Sequence, residues 1–227
     1  MINKKSLVTA LLCTVLTTTA KADFYLKPSI GLGLGNATSS GLFVPLRNTG
    51  FKSCYMGQVI VGYQLAGLRL ETGLGYMTSG FTEKDLVFLL QNNTMYKGEL
   101  RYVYSHLIIP ARAAYKIGVG NRLSVVPHVG ADVSYNLGTK SKLVSDNSMF
   151  STDYVKGSNF SNIYRTISLW ANGGLDVELR VANHLSVVAG PKFRYMMTSI
   201  LKDNTTFYDQ RLRNYVISLE AGVVLSL

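Results

Sequence analysis

The sequence predicts an all-β chain, an eight-stranded antiparallel up-and-down transmembrane β-barrel with a polar, filled lumen. Three observations carry this expectation. In residues 123–137, Leu123, Val125, Pro127, Val129, Ala131, Val133, Tyr135 and Leu137 are all apolar, while the positions between them include His128, Asp132, Ser134 and Asn136. Period two means strand. An ordinary strand has about five or six residues, whereas one crossing a bilayer at a tilt needs about 9–11. A face of His, Asp, Ser and Asn would make a poor soluble core, but it suits the inside of a closed barrel in lipid. Segments of this kind recur along the chain, joined by connections that alternate long and short. Residues 23–227 contain no apolar stretch near the ~20 residues of a spanning helix, so any crossing must use strands.

Residues 1–22 read as a secretory signal peptide. Lys4 and Lys5 precede an apolar run from Leu7 to Leu16, and Ala20-Lys21-Ala22 is a small-x-small cleavage signal. The barrel domain is then residues 23–227. Without Lys4, Lys5 and Lys21 it has 20 basic and 13 acidic residues, a net charge of +7. That balance could suit nucleic acid, but export and dispersed charge argue against it. One cysteine remains, Cys54, which rules out an intramolecular disulfide or a cysteine metal cluster.

The first strand, residues 24–35, puts Leu26, Pro28, Ile30, Leu32 and Leu34 outward. Its inward face, with Gly31, Gly33 and Gly35, leaves room for bulky neighbours. Residues 36–53 read as a loop. The second strand, residues 54–65, exposes Tyr55, Val59, Val61 and Tyr63 and turns Gln58 and Ile60 inward. Ala66-Gly67 fits a two-residue hairpin turn, which flips the parity of the outward face. The parity does flip: Leu68, Leu70, Thr72, Leu74 and Tyr76 face out, and Arg69 and Glu71 face in.

Residues 78–98 form a long connection, and Gln91-Asn92-Asn93-Thr94 inside it reads as the turn of a hairpin protruding beyond the membrane. The fourth strand, residues 100–117, points Leu107, Ile109, Ala111, Ala113 and Tyr115 at lipid and His106, Pro110, Arg112 and Lys116 inward. Residues 118–121 turn the chain into the fifth strand, already described, and residues 138–164 form the longest connection. The sixth strand, residues 165–181, has Trp170, Asn172, Asp176, Glu178 and Arg180 inside. A turn at residues 182–184 leads to the seventh, residues 185–195, with Lys192 and Arg194 inside. A loop at residues 199–211 precedes the last strand, which carries Tyr215, Ile217, Leu219, Val223 and Leu225 outward and Ser218 and Glu220 inward.

Tight turns on one side and long loops on the other fit an outer-membrane barrel of a Gram-negative cell, with periplasmic termini and extracellular long loops. Tyrosines near both ends of the strands fit two interfacial belts. With the signal peptide, the glycine-rich first strand and the terminal strand, the phrase Leu107-Ile108-Ile109-Pro110-Ala111-Arg112-Ala113-Ala114-Tyr115 resembles the small outer-membrane β-barrel domain family, PorT-like, and more distantly the eight-stranded OmpA and OmpX barrels. That family more often carries Glu where this chain has Ile108, and an aromatic where it ends in Leu227. The resemblance implies a barrel and confers no specific activity.

Eight strands enclose a lumen that side chains can just fill. The inward charges Arg69, Glu71, Arg112, Lys116, Asp132, Asp176, Glu178, Arg180, Lys192, Arg194 and Glu220 interleave both signs, so the expectation is a compensated salt-bridge network that plugs the barrel. If residues 118–121 set the register, His106 lies across from Asp132 or Ser134, and these three form the one catalytic alternative, an outer-membrane hydrolase acting on lipopolysaccharide or peptide. Three dispersed histidines give no metal site, and no cofactor is expected. Gly31-Leu32-Gly33-Leu34-Gly35 is not a nucleotide loop, because alternation continues through it and no helix follows.

The connections and the adjoining rim hold 12 basic and 7 acidic residues. Arg101, Arg165, Arg211 and Arg213 flank membrane entry points, where lipopolysaccharide phosphates would meet bidentate arginines. The sequence therefore favours a monomeric, non-catalytic cell-surface barrel with a structural, surface-interaction or ligand-binding role through its long loops. Its expected partners are outer-membrane lipids, lipopolysaccharide and an extracellular ligand or protein, with no nucleic acid. A porin-like small-solute channel is the further alternative.

Overall fold

The computed structural model describes residues 23–40, 48–89, 95–145, 155–156, 164–201 and 211–227. The signal-peptide reading of residues 1–22 and most of the long connections lie outside them. Eight long strands carry the fold: β1 (Asp23–Ser40), β2 (Lys52–Leu65), β3 (Leu68–Leu89), β4 (Met95–Tyr115), β5 (Leu123–Ser145), β6 (Ile167–Ala182), β7 (Leu185–Met196) and β8 (Arg211–Ser226). Each pairs antiparallel with the next, and β8 pairs back onto β1, so the ring closes with no free edge. Three two-residue strands, Thr49–Gly50, Ile117–Gly118 and Val155–Lys156, sit at its ends.

Inside and outside are inverted relative to a water-soluble protein. Ile30, Leu32, Leu70, Ile109, Val129, Phe193 and Leu219 stand exposed on the outer wall, while Arg69, Glu71, Arg112, Asp132, Lys192, Arg194 and Glu220 are buried within it. Such a surface is stable against hydrocarbon and not against water. No helix among the described residues is long and apolar enough to cross a membrane, and a barrel crosses with its strands.

The predicted turn at Ala66-Gly67 is present, with φ of 47° and 93°, the left-handed pair that a type I′ hairpin requires. Alanine sits there at a cost of about 1–2 kcal/mol. We expect Ala66→Gly to stabilise the barrel by roughly 1 kcal/mol in urea unfolding from lipid vesicles. An unchanged or lowered midpoint would show that the turn carries no such strain.

Three predicted boundaries need correction. Residues 36–40 belong to β1, because they pair in register with Arg211 to Tyr215 of β8, and pairing overrides their turn-like composition. Residues 138–145 continue β5 opposite Gly98 to Ser105 of β4, so strand replaces the start of the longest predicted connection. Residues 78–89 and 95–98 are direct extensions of β3 and β4, paired as far as Leu89 opposite Met95, and the predicted turn at Gln91-Asn92-Asn93-Thr94 lies outside the described residues.

Inward glycines make room for large groups. A Cβ on Gly62 would lie 2.0 Å from Cζ of Tyr25, and one on Gly31 would lie 2.6 Å from Cγ of Glu220. Without these two gaps neither side chain could reach the partners described next.

Candidate functional site

The lumen contains, from the short-turn end to the long-loop end, a charged network, an apolar layer and an aromatic mouth. At the short-turn end Arg69 donates from Nη1 to Glu178 Oε2 at 2.6 Å and from Nε to Gln64 Oε1 at 2.7 Å, and its guanidinium stacks 4.8 Å over the Tyr25 ring. Lys116 donates to the other oxygen of Glu178. Glu71 accepts from both Tyr25 and Lys27, and Lys27 and Lys192 lie 3.6 and 3.7 Å from the Asp176 carboxylate. Farther along, Glu220 accepts from Gln58, Lys192 and Arg194 at 2.7, 2.8 and 2.7 Å. Asp132 accepts from Arg194 Nε at 3.0 Å and from Asn172 at 2.7 Å, with Arg112 3.6 Å away.

The five buried cations Lys27, Arg69, Arg112, Lys192 and Arg194 thus face the five carboxylates of the network, Glu71, Asp132, Asp176, Glu178 and Glu220. The sixth cation, Lys116, is the one whose side chain reaches water, at 19 % exposure. Charge therefore balances where the dielectric is low, as burial demands. Arg180, predicted to join this network, does not: it lies near the end of β6 and is exposed. Lys27, Gln58, Asn172 and Tyr25 belong to it although the inward-charge set did not include them. Each has inward parity, which was the signal that could have found them.

Above the network lie Trp170, Met77, Ile108, Met196 and Val216, all buried and packed in one cluster that continues to Tyr104 and Phe81. The Trp170 indole donates to Ser134 Oγ at 3.0 Å, and its ring meets that of His106 edge-on at 5.6 Å. His106 Nε2 lies 2.9 Å from Ser79 Oγ, which also accepts from Asn214.

The arrangement of His106, Asp132 and Ser134 expected across one strand pair is not present. The reversal between β4 and β5 is centred on Asn121, as Ile117 opposite Val125 and Gly118 opposite Ser124 show, and this moves the register on from a turn at residues 118–121. His106 therefore faces Asn136, Ile108 faces Ser134 and Pro110 faces Asp132. Asp132 is engaged by Arg194 and Asn172, and Ser134 by Trp170. His128 lies with Asp176, its Nδ1 4.0 Å from the carboxylate. No group of three metal-binding side chains occurs among the described residues.

At the long-loop end the inner wall becomes aromatic. Phe81 of β3 pairs with Tyr102 of β4, their ring centroids 4.9 Å apart, and the rings of Tyr102 and Tyr104 are nearly parallel at 13°. Tyr164, which bridges to Leu201, closes on Tyr104 edge-on at 5.6 Å. Together with Glu83, Arg211, Ser39 and Thr49 these rings line a cavity of about 220 Å³ at the long-loop end. Burial raises the Tyr164 phenol above its ordinary value, which keeps its proton in place.

The four rim arginines do not form one cluster. Arg101 pairs with Glu99 at 3.2 Å, Arg165 is half-buried, Arg211 lines the mouth, and Arg213 reaches Tyr195 Oη at 3.4 Å.

No protein-family model matches this chain, and no curated protein is similar to it in sequence. Among solved structures it is similar to Neisserial surface protein A, at 16 % identity and a TM-score of 0.39, covering 90 % of this chain and 97 % of that one. It is similar to Ail of Yersinia pestis in complex with the heparin analogue sucrose octasulfate, at 15 % identity, a TM-score of 0.37 and coverage of 89 % and 99 %. A major outer membrane protein from Thermus thermophilus gives 15 % identity and a TM-score of 0.44, with coverage of 89 % and 99 %. At these values the likeness carries no argument about function.

Proposed function

We propose that this protein is an outer-membrane barrel of the small PorT-like kind, monomeric, with periplasmic termini and extracellular long loops, that acts by binding at its long-loop end. One observation supports this best: the lumen is closed twice, by a charge-balanced network and by the apolar layer of Trp170, Ile108, Met77 and Met196. A filled eight-stranded barrel has no aqueous path. The ring without a free edge favours a monomer. Arg213 beside Tyr195, together with Arg101, Arg165 and Arg211, supplies guanidinium groups at the level where lipopolysaccharide phosphates lie. Nucleic acid has no part in this reading.

The test is planar-bilayer conductance of the refolded full chain, alongside fractionation and gel mobility with and without heating. The protein should fractionate with outer membrane, run faster unheated and pass no steady current. Recovery as a soluble periplasmic species, or stepwise single-channel conductance, would overturn the reading. Catalysis is not part of the proposal, since His106, Asp132 and Ser134 each serve a different contact. His106→Ala should lower stability by about 1–3 kcal/mol, because it leaves the buried Ser79 hydroxyl short of a partner and opens a gap beside Trp170. A lipopolysaccharide-modifying activity lost in that variant without loss of fold would refute the non-catalytic assignment.

A further inference from the structure

We infer that the short-turn rim at β5 and β6 binds the phosphate of an anionic phospholipid through Arg122 and Arg180. This site lies at the opposite end of the barrel from the binding proposed above and does not depend on it. The ladder between the two strands ends with Leu123 opposite Leu179, and beyond it the Arg180 N–H donates to the Arg122 carbonyl at 2.8 Å. Two arginines thus stand side by side across the strands, an arrangement that like charges disfavour unless an anion joins them. Both are exposed, and neither guanidinium is in an ion pair or hydrogen bond among the described residues. Glu178, two residues before Arg180, does not serve them, because it is buried and already accepts from Arg69 and Lys116. Arg180 has inward parity, and its exposure puts it at the opening of the barrel and not within the lumen.

What surrounds the pair selects a lipid. Ile117, Val119, Leu123, Leu179 and Val181 are all exposed. A Cβ on Gly118 or Gly120 would meet nothing within 4 Å, so the turn between β4 and β5 stands clear of the rest of the barrel. The apolar outer wall therefore continues to the level of the two arginines, and hydrocarbon ends where their guanidinium groups begin. Lipid phosphates lie at that level, and an arginine reaches them by laying its apolar stem along the wall. Charge selects further. Among the described residues the exposed acidic side chain at this end is Asp23 on β1, three strands round the ring from β6 and four from β5. The ammonium of a zwitterionic headgroup finds no carboxylate beside the arginines and is repelled by them, whereas an anionic headgroup brings only the charge they attract.

The experiment uses the refolded full chain in a neutral detergent, with folding checked by its faster migration when unheated. Phosphatidylglycerol and phosphatidylcholine of identical acyl chains are titrated together, and the lipid retained is read by native mass spectrometry. Phosphatidylglycerol should bind about tenfold more tightly. The preference should shrink as salt rises from about 0.05 to 0.5 M, because exposed charges are screened. Arg122→Gln with Arg180→Gln should bring the two lipids to within about twofold of each other. Lys84→Gln with Lys140→Gln removes the same charge from exposed positions toward the long-loop end and should keep the preference. If the double arginine variant does not fold, Arg180→Gln alone is read, with an expected loss of about threefold, and no loss counts against the site. Equal retention of both lipids by the wild-type barrel, or the same loss in the lysine variant, would overturn the inference. Displacement of phosphatidylglycerol by inorganic phosphate or by a glutamate-rich peptide at equal concentration would overturn it too, and would assign the arginines to a soluble anion or an acidic protein.

Discussion

Replacing Glu220 with alanine should destabilise the barrel by about 3–5 kcal/mol, the range expected when one partner of a buried ion pair is removed. Glu220 is buried and accepts from three groups on two other strands: Gln58 of β2, and Lys192 and Arg194 of β7. Its loss leaves five buried cations with four carboxylates. Lys192 keeps only the longer contact to Asp176 at 3.7 Å, while Arg194 keeps Asp132 at 3.0 Å. The orphaned ammonium therefore dominates the cost, and Lys192→Met added to Glu220→Ala should recover part of it, since an apolar isostere needs no partner. Arg180→Ala is the internal control: an exposed charge outside the network should shift stability by no more than about 0.5 kcal/mol. Urea unfolding from vesicles of fixed composition reads all four proteins. If Glu220→Ala unfolds at the wild-type midpoint, the network does not hold the barrel together.

The contrast between Glu220 and Arg180 shows what parity can and cannot deliver. Alternation assigns each residue to the inner or outer face, and the two-residue turn at Ala66-Gly67 fixes the phase between β2 and β3, so the ring of inward charges is legible residue by residue. Position along the barrel axis is a different quantity. Arg180 has inward parity but sits where the strand leaves the wall, and nothing in the local sequence marks that depth. Pairing across the lumen is less legible still: Arg69 and Glu178 meet from β3 and β6, strands that share no hydrogen bond, and the two residues are 109 apart in the chain. The expected grouping of His106, Asp132 and Ser134 failed for a related reason. Its register depended on where a short turn reverses, and a reversal centred on Asn121 sends each residue to a different neighbour.

The aromatic mouth was hidden by a boundary and not by chemistry. Phe81 and Glu83 fall in residues 78–98, which composition marks as a connection, whereas in the folded chain they continue β3 with inward parity, opposite Tyr102 and Leu100 of β4. Tyr164 and Arg211 come from the far ends of two other connections. Parity extended through the hairpin would have put Phe81, Tyr102 and Tyr104 on one inner face. The contribution of Tyr164 depends on the bridge to Leu201, a long-range contact that no local pattern encodes.

Trp170→Ala should cost about 3–5 kcal/mol and yet leave the barrel closed to ions. The first expectation follows from its place: Trp170 is fully buried in the apolar layer and holds Ser134 through its indole N–H, so truncation leaves a cavity and removes a buried hydrogen bond. The second follows from what lies beneath. Asp132, Arg194, Glu220 and Lys192 form a separate barrier on the short-turn side of the indole, and their bonds do not depend on it. An ion entering past the truncated side chain would meet a network of paired buried charges whose opening requires separating them in a low dielectric. Unfolding in vesicles gives the first quantity, and planar-bilayer recording of the same variant gives the second. Stable, stepwise conductance in Trp170→Ala would mean that the apolar layer alone closes the lumen. The charged network would then be a lining that ions can cross, and the small-solute channel would return as the better account of this protein.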